Sequence, residues 1–380
     1  MNRYIILLCS MVFSIGTCVA QVFNASLPYH VTGGKMVVSI IVDGNAVPFI
    51  FDTGGQTSIS SKLKNALGLN TITNRVITDV NNVKVNLEMV KIPTIATPDG
   101  KAVFTQVNSM VIDNEVFACF DGAVGLFGSD MFKNCSIEID DKSKTIHITN
   151  EGKLSLNGRK QVYEFTPTSN GMPVFSMNVG SYTDIDVLFD SGASSALLLK
   201  SDDFRKLLGG NEVSIVKTGK AIGSIGVNGF GPPGNRYLIN MPEFKLGSQK
   251  FLNYKSGSSN SPESLLGLHL LDYGKVTIDY INKLFYFEPY QTEPITDYEK
   301  KWDIDLFVKD QKLVVAAIWD DVKTGVKLGD QVTHINGKAV AALSLCESMT
   351  KGIPELKNSN AIELTVKTDE GIKKITIKKT

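Results

Sequence analysis

Apolar and polar positions alternate along most of this chain. Residues 36–42 and 174–179 read as strands, each followed by a turn holding glycine. Residues 313–319, 362–367 and 372–378 read as strands as well, the last two joined by a tight turn at 369–371. Helical periodicity is confined to short stretches, at 61–67, 201–208 and 343–349. The chain is therefore expected to be mainly β.

The pattern also repeats. VPFIFDTGGQTSIS, residues 47–60, and DVLFDSGASSALLL, residues 186–199, share an order. Each runs from an apolar stretch through Asp-(Thr/Ser)-Gly and small polar residues back to apolar ones. Asp52 and Asp190 lie 138 positions apart. A second pair follows them: GAVGLFGSDMFKNCSIEIDDKSKTIHI at 122–148 and LLGLHLLDYGKVTIDYINKLFYF at 265–287. Gly125 trails Asp52 by 73 residues, and Gly267 trails Asp190 by 77. One Asp-(Thr/Ser)-Gly is an ordinary turn. Two in apolar frames, each trailed at like distance by an apolar-Gly-strand unit, indicate a duplication.

These motifs resemble the pepsin/retropepsin-like aspartic peptidases over about 260 residues. The resemblance implies two pseudo-symmetric retropepsin-like acid-protease lobes, at 24–150 and 160–290, each donating one aspartate. It assigns catalysis to Asp52 and Asp190. Two carboxyls held close cannot both ionise cheaply, so they share a proton and act as base and acid at one pH. Thr53, Gly54, Ser191 and Gly192 are the implied supports: hydroxyls that bond across to the opposite loop, and glycines that let the backbone turn tightly. The implied substrate is an extended polypeptide, bound by strand addition under mobile flaps. Flap candidates are Gly226, Asn228 and Gly229 in the glycine-rich run 219–235, and Asn81 in the turn 78–83. One chain carries both aspartates, so a monomer suffices. No metal or cofactor is implied. The sequence departs from the family at Gly55, at the Gly128–Ser129 insertion and at His269. A catalytically silent peptide-binding scaffold is the alternative function.

Beyond a Pro-containing linker at 288–301, GVKLGDQVTHINGKAV at 325–340 resembles PDZ domains. A PDZ-like domain is expected at 303–380, as a receptor for a peptide or a free C-terminus, or as a cap or lid on the cleft. The lobe-lobe-PDZ layout resembles bacterial peptidases.

Composition adds limits. At 43% hydrophobic and 21% charged, the chain can bury a core. Lys+Arg and Asp+Glu balance at 39 each with no basic stripe, which argues against nucleic acid as a partner. Residues 1–20 read as a signal peptide, with export to the periplasm or the outside; lipidation at Cys18 is the competing reading. No transmembrane span follows it. Cys119, Cys135 and Cys346 remain after the leader. Cys119 and Cys135 either pair or stay as buried thiols. The four histidines are scattered, without zinc-ligand spacing.

Overall fold

A computed structural model describes residues 22–152, 161–180, 183–227, 229–296, 300–322 and 324–380. The signal peptide expected at 1–20 lies outside the described residues. The protein is mainly β, and alternation explains why. In Asn24–Thr32 the side chains of Ala25, Leu27 and Tyr29 are buried while their neighbours face solvent. None of the described helices is long and apolar enough to cross a membrane.

The repeated sequence becomes a repeated topology. Lys35–Val42 and Asn45–Asp52 form an antiparallel hairpin, with Val38 opposite Phe49. The second strand then runs parallel to Gly125–Gly128, placing Ile50 beside Leu126 and Asp52 beside Gly128. Pro173–Val179 and Thr183–Asp190 repeat the hairpin, with Phe175 opposite Val187. Thr183–Asp190 runs parallel to Ser264–Gly267, and Asp190 sits beside Gly267. In both halves, the strand that ends in aspartate therefore has its C-terminal end fixed by a short parallel neighbour.

The strands after the apolar-Gly motifs join the halves. Ser136–Asp140 pairs antiparallel with Gly274–Asp279, matching Ile137 with Ile278 and Ile139 with Val276. Thr145–Thr149 and Asn24–Thr32 extend this sheet on one side, and Leu284–Pro289 and Tyr163–Pro167 on the other. The core under it is continuous and aromatic. The Phe127 and Phe132 rings lie 5.2 Å apart on one side, and Phe175 stacks on Phe285 at 4.2 Å on the other.

The C-terminal segment has its own core, with Val315, Val332, Leu364, Val366 and Ile377 fully or almost fully buried. Its strands Ile304–Lys309, Lys312–Trp319, Gln331–Ile335, Ala361–Thr368 and Gly371–Lys378 pair in that order. The helix expected at 343–349 is observed at Leu345–Lys351. Its start is set by a capping box in which Ser344 and Glu347 satisfy each other's backbone amides. Two of its attachments to the rest are a shared sheet edge and a disulfide. Lys312–Trp319 adds to the edge of Ser214–Ala221, with Gly219 opposite Trp319 and Ala221 opposite Ala317. A Cβ at Gly219 would stand 2.3 Å from the Ile318 carbonyl, so glycine permits this approach.

The second attachment corrects the cysteine reading. Cys119 is bonded to Cys346, 227 residues away, and not to Cys135. Cys135 is a free thiol packed in the main core, and burial pushes its pKa up to about 11. Within the stretch expected as a linker, Ile295 is buried and bridges to Phe251.

Candidate active site

Each aspartate sits at the end of a core strand, where the chain must turn. The Gly54 amide donates to Asp52 Oδ1 at 2.9 Å, and the Gly192 amide donates to Asp190 Oδ1 at 2.8 Å. The Ala193 amide adds a second donor to that Asp190 oxygen at 3.2 Å.

The loops are cross-braced by their hydroxyls. Thr53 Oγ1 donates to the Phe189 carbonyl at 2.8 Å and accepts from the Ser191 amide at 3.0 Å. Ser191 Oγ donates to the Phe51 carbonyl at 3.1 Å and accepts from the Thr53 amide at 3.0 Å. Each hydroxyl spends its one proton on the opposite half and receives one in return. Both side chains are fully buried, so water does not compete for these bonds.

The glycines set the distance between the carboxyls. A Cβ at Gly54 would lie 2.3 Å from Asp190 Cγ, and one at Gly192 would lie 2.7 Å from Asp52 Cγ. Any other residue at these positions would push the aspartates apart. Burial, then the charge of Asp190, raises the Asp52 pKa to about 7 against the opposing pull of Lys35.

Gly128, and not Gly125 as the repeat suggested, is the counterpart of Gly267: each lies beside its aspartate, and their Cβ atoms would meet the Gly55 carbonyl at 2.6 Å and the Ala193 carbonyl at 2.5 Å. Gly125 packs against the strand beyond, where a Cβ would meet the Ser58 carbonyl at 1.9 Å. The expected Gly128–Ser129 insertion is not observed: the Ser129 amide donates to the Gly55 carbonyl at 3.0 Å just as the Leu268 amide donates to the Ala193 carbonyl at 2.7 Å, so the two halves are in step here. Ser129 Oγ donates to the Thr53 carbonyl and lies 3.1 Å from the Tyr280 hydroxyl, so it braces the Asp52 loop from below. His269 is exposed, and it lines a neighbouring cavity of about 680 Å³ rather than the dyad.

The flap candidates meet across the cleft. Asn81 Nδ2 donates to the Ser224 carbonyl at 2.9 Å, and Asn114 Nδ2 donates to the Gly226 carbonyl at 2.9 Å. A Cβ at Gly226 would stand 2.2 Å from Asp79 Oδ2. Gly229 pairs with Gly226 and turns the small hairpin at φ +92°. Asn228, between them, lies outside the described residues. Beneath these contacts is a cavity of about 830 Å³ that holds both aspartates. One wall of it is apolar: Ile50, Ile112, Val116, Phe117, Phe120 and Leu126.

Residues 38–131 match the family model described as aspartyl protease. The matched stretch is an aspartyl-protease-like domain. It contains Asp52 and Gly125 and ends before Asp190. No curated protein matches the chain. Among solved structures it is similar to conglutin gamma, a basic 7S globulin from lupine seeds, at 12% identity and a TM-score of 0.43, covering 70% of this chain and 95% of that one. It is also similar to the basic 7S globulin from soybean, at 11% identity and a TM-score of 0.44, covering 72% of this chain and 96% of that one.

Two contributors to the aspartyl-protease-like site escaped the sequence reading. Lys35 opens the first hairpin, and its ammonium donates to the Gly192 carbonyl beside the dyad. Nothing in the sequence links Lys35 to a loop 157 residues away. The apolar wall was missed as well, although IDNEVFACF, residues 112–120, carries the spacing of a short amphipathic turn.

Proposed function

We propose that the chain is an exported, single-chain aspartic endopeptidase. On this reading residues 24–150 and 160–290 are its two lobes, and residues 303–380 are an appended PDZ-like domain. The observation that carries the proposal is the Asp52–Asp190 pair, clamped by reciprocal Thr53 and Ser191 hydrogen bonds. Carboxyls forced together in a partly desolvated cleft retain one proton between them. One then withdraws a proton from a water attacking the peptide carbonyl, while the other supplies a proton to the carbonyl oxygen. The protonation belongs to the pair, so the two roles need no outside group.

The substrate is an extended peptide. The small hairpin and the 78–83 turn close over it, and the apolar wall takes a large hydrophobic side chain next to the cut. Export fits a disulfide that persists only in oxidising surroundings.

Cleavage of a mixed peptide library at pH 3–8 tests the proposal, with Asp52→Asn and Asp190→Asn run in parallel. Both variants are expected to lose at least about 10³-fold in kcat/KM, in line with removal of a general acid or base that acts as a unit. Wild-type protein that binds these peptides without cutting them would replace this reading with the scaffold. Activity that survives in both variants would refute the dyad.

A further inference from the structure

Helix Leu345–Lys351 belongs to the C-terminal segment, yet it reaches the cavity of the dyad. Leu345 and Met349 are one helical turn apart and share a face. Both pack on the cluster formed by Val37, Ile50, Val116, Phe120 and Leu126. Met349 also lines the cavity that holds Asp52 and Asp190. Cys346, on the same helix, is bonded to Cys119, the residue between Ala118 and Phe120 of the apolar wall.

The turn before the Lys35 strand is shaped to this helix. Gly33 has φ +57°, and a Cβ there would stand 2.8 Å from the Met349 carbonyl and 2.9 Å from the Phe120 ring. Its neighbour Gly34 has φ +75°, and a Cβ there would stand 3.2 Å from Ser194 Oγ. The glycine pair thus lets the helix settle against Phe120, close to the loop that carries Asp190. The helix is a fixed part of the cavity lining, held by a covalent bond, by packing and by a backbone fit.

We propose that Met349 is a specificity-determining residue, closing the apolar wall of the cleft from the C-terminal segment and limiting the size of the hydrophobic side chain accepted there. The inference rests on the peptidase reading and extends it to substrate choice. Methionine suits the task, since an unbranched thioether fills irregular gaps and adjusts to more than one partner. The ligand is an extended peptide with one large apolar residue near the cleaved bond. On this view the C-terminal segment contributes directly to the substrate site, whatever else it binds.

The test uses the full chain and the same library with Met349→Trp and Met349→Ala. Met349→Trp is expected to lower kcat/KM by about 10- to 100-fold for peptides with Phe or Trp at one position relative to the cut, and by about 2-fold or less for those with Ala there. Met349→Ala is expected to raise the Trp-to-Leu ratio at that position by about 10-fold. An unchanged profile in both variants, or an equal fall for every peptide, overturns the proposal. A second readout is independent of turnover: a peptide bearing benzoylphenylalanine is photocrosslinked to Asp52→Asn protein and the adduct is mapped. An adduct within 345–351 supports the proposal even where wild-type protein cuts nothing, and in that case only the peptidase reading falls. Adducts found elsewhere, or none, overturn it.

Discussion

At the residue scale, the site depends on a few atoms whose chemistry is local. Asp52, Thr53 and Gly54, with Asp190, Ser191 and Gly192, were legible because each triplet explains itself: a carboxyl, a hydroxyl to brace, a glycine to yield space. Lys35 was not legible, since its effect depends on a contact between strand and loop that only the folded chain creates. That contact has a measurable consequence. Catalysis by a proton-sharing pair ends when the proton leaves, so activity is expected to fall as pH rises through about 7. The Lys35 charge favours ionised Asp52, so Lys35→Met is expected to move this alkaline limb upward, as read from a pH–rate profile. The same shift enters stability. An acid raised from 3.8 to about 7 binds more protons folded than unfolded between those values, so stability falls across that window as pH rises and then levels off. Asp52→Asn removes this loss. Its melting temperature is expected to exceed that of the wild type at pH 8 and not at pH 3.

At the element scale, hairpins and helices followed from period and turn residues, and helix starts fell within about two residues of expectation because caps such as Ser60 and Ser344 are local signals. Pairing between distant strands was not legible. Ser136–Asp140 and Gly274–Asp279 were recognisable as repeats, but alternation does not say that two repeats lie side by side. The cleft-crossing contacts are of the same kind: Asn81 marked a polar turn, and its partner Ser224 is 143 residues away. A partly exposed hydrogen bond of this sort is worth about 0.5–1.5 kcal/mol. Asn81→Ala is therefore expected to speed amide exchange at 223–227 by about 3- to 10-fold while leaving the Ser136–Asp140 strand protected. Equal exchange in both proteins would show that the hairpin's other contacts, the Asn114 bond to the Gly226 carbonyl among them, hold it without Asn81.

At the scale of the whole molecule, the C-terminal segment joins both sides of the cleft, one through strand addition and the other through Cys119–Cys346. The cysteine partner was illegible for a simple reason: sequence proximity favours Cys135, whereas the fold carries Cys346 to Cys119. A cross-link closing so long a loop restricts the unfolded chain and typically stabilises by about 2–4 kcal/mol. Cys346→Ser, or reduction of the wild type, is expected to lower the denaturation midpoint by a corresponding amount. Because the segment also has its own core, the transition is expected to lose cooperativity, with the 303–380 signal preceding the rest in urea.

The same bond imposes an order on the chain's maturation. A polypeptide made from its N-terminus presents Cys119 and Cys135 long before Cys346 exists, since Cys346 follows Cys119 by 227 residues. Packing is expected to prevent mispairing. Once the strands around Cys135 condense, its thiol is sealed among apolar side chains and resists ionisation, so it cannot attack or be attacked. Burial of Cys135, which the second half completes through the Tyr280 amide on the Cys135 carbonyl, is thus expected to act as a proofreading step for oxidation at Cys346. Only a chain that has already buried one cysteine correctly has the other still waiting when its final partner arrives.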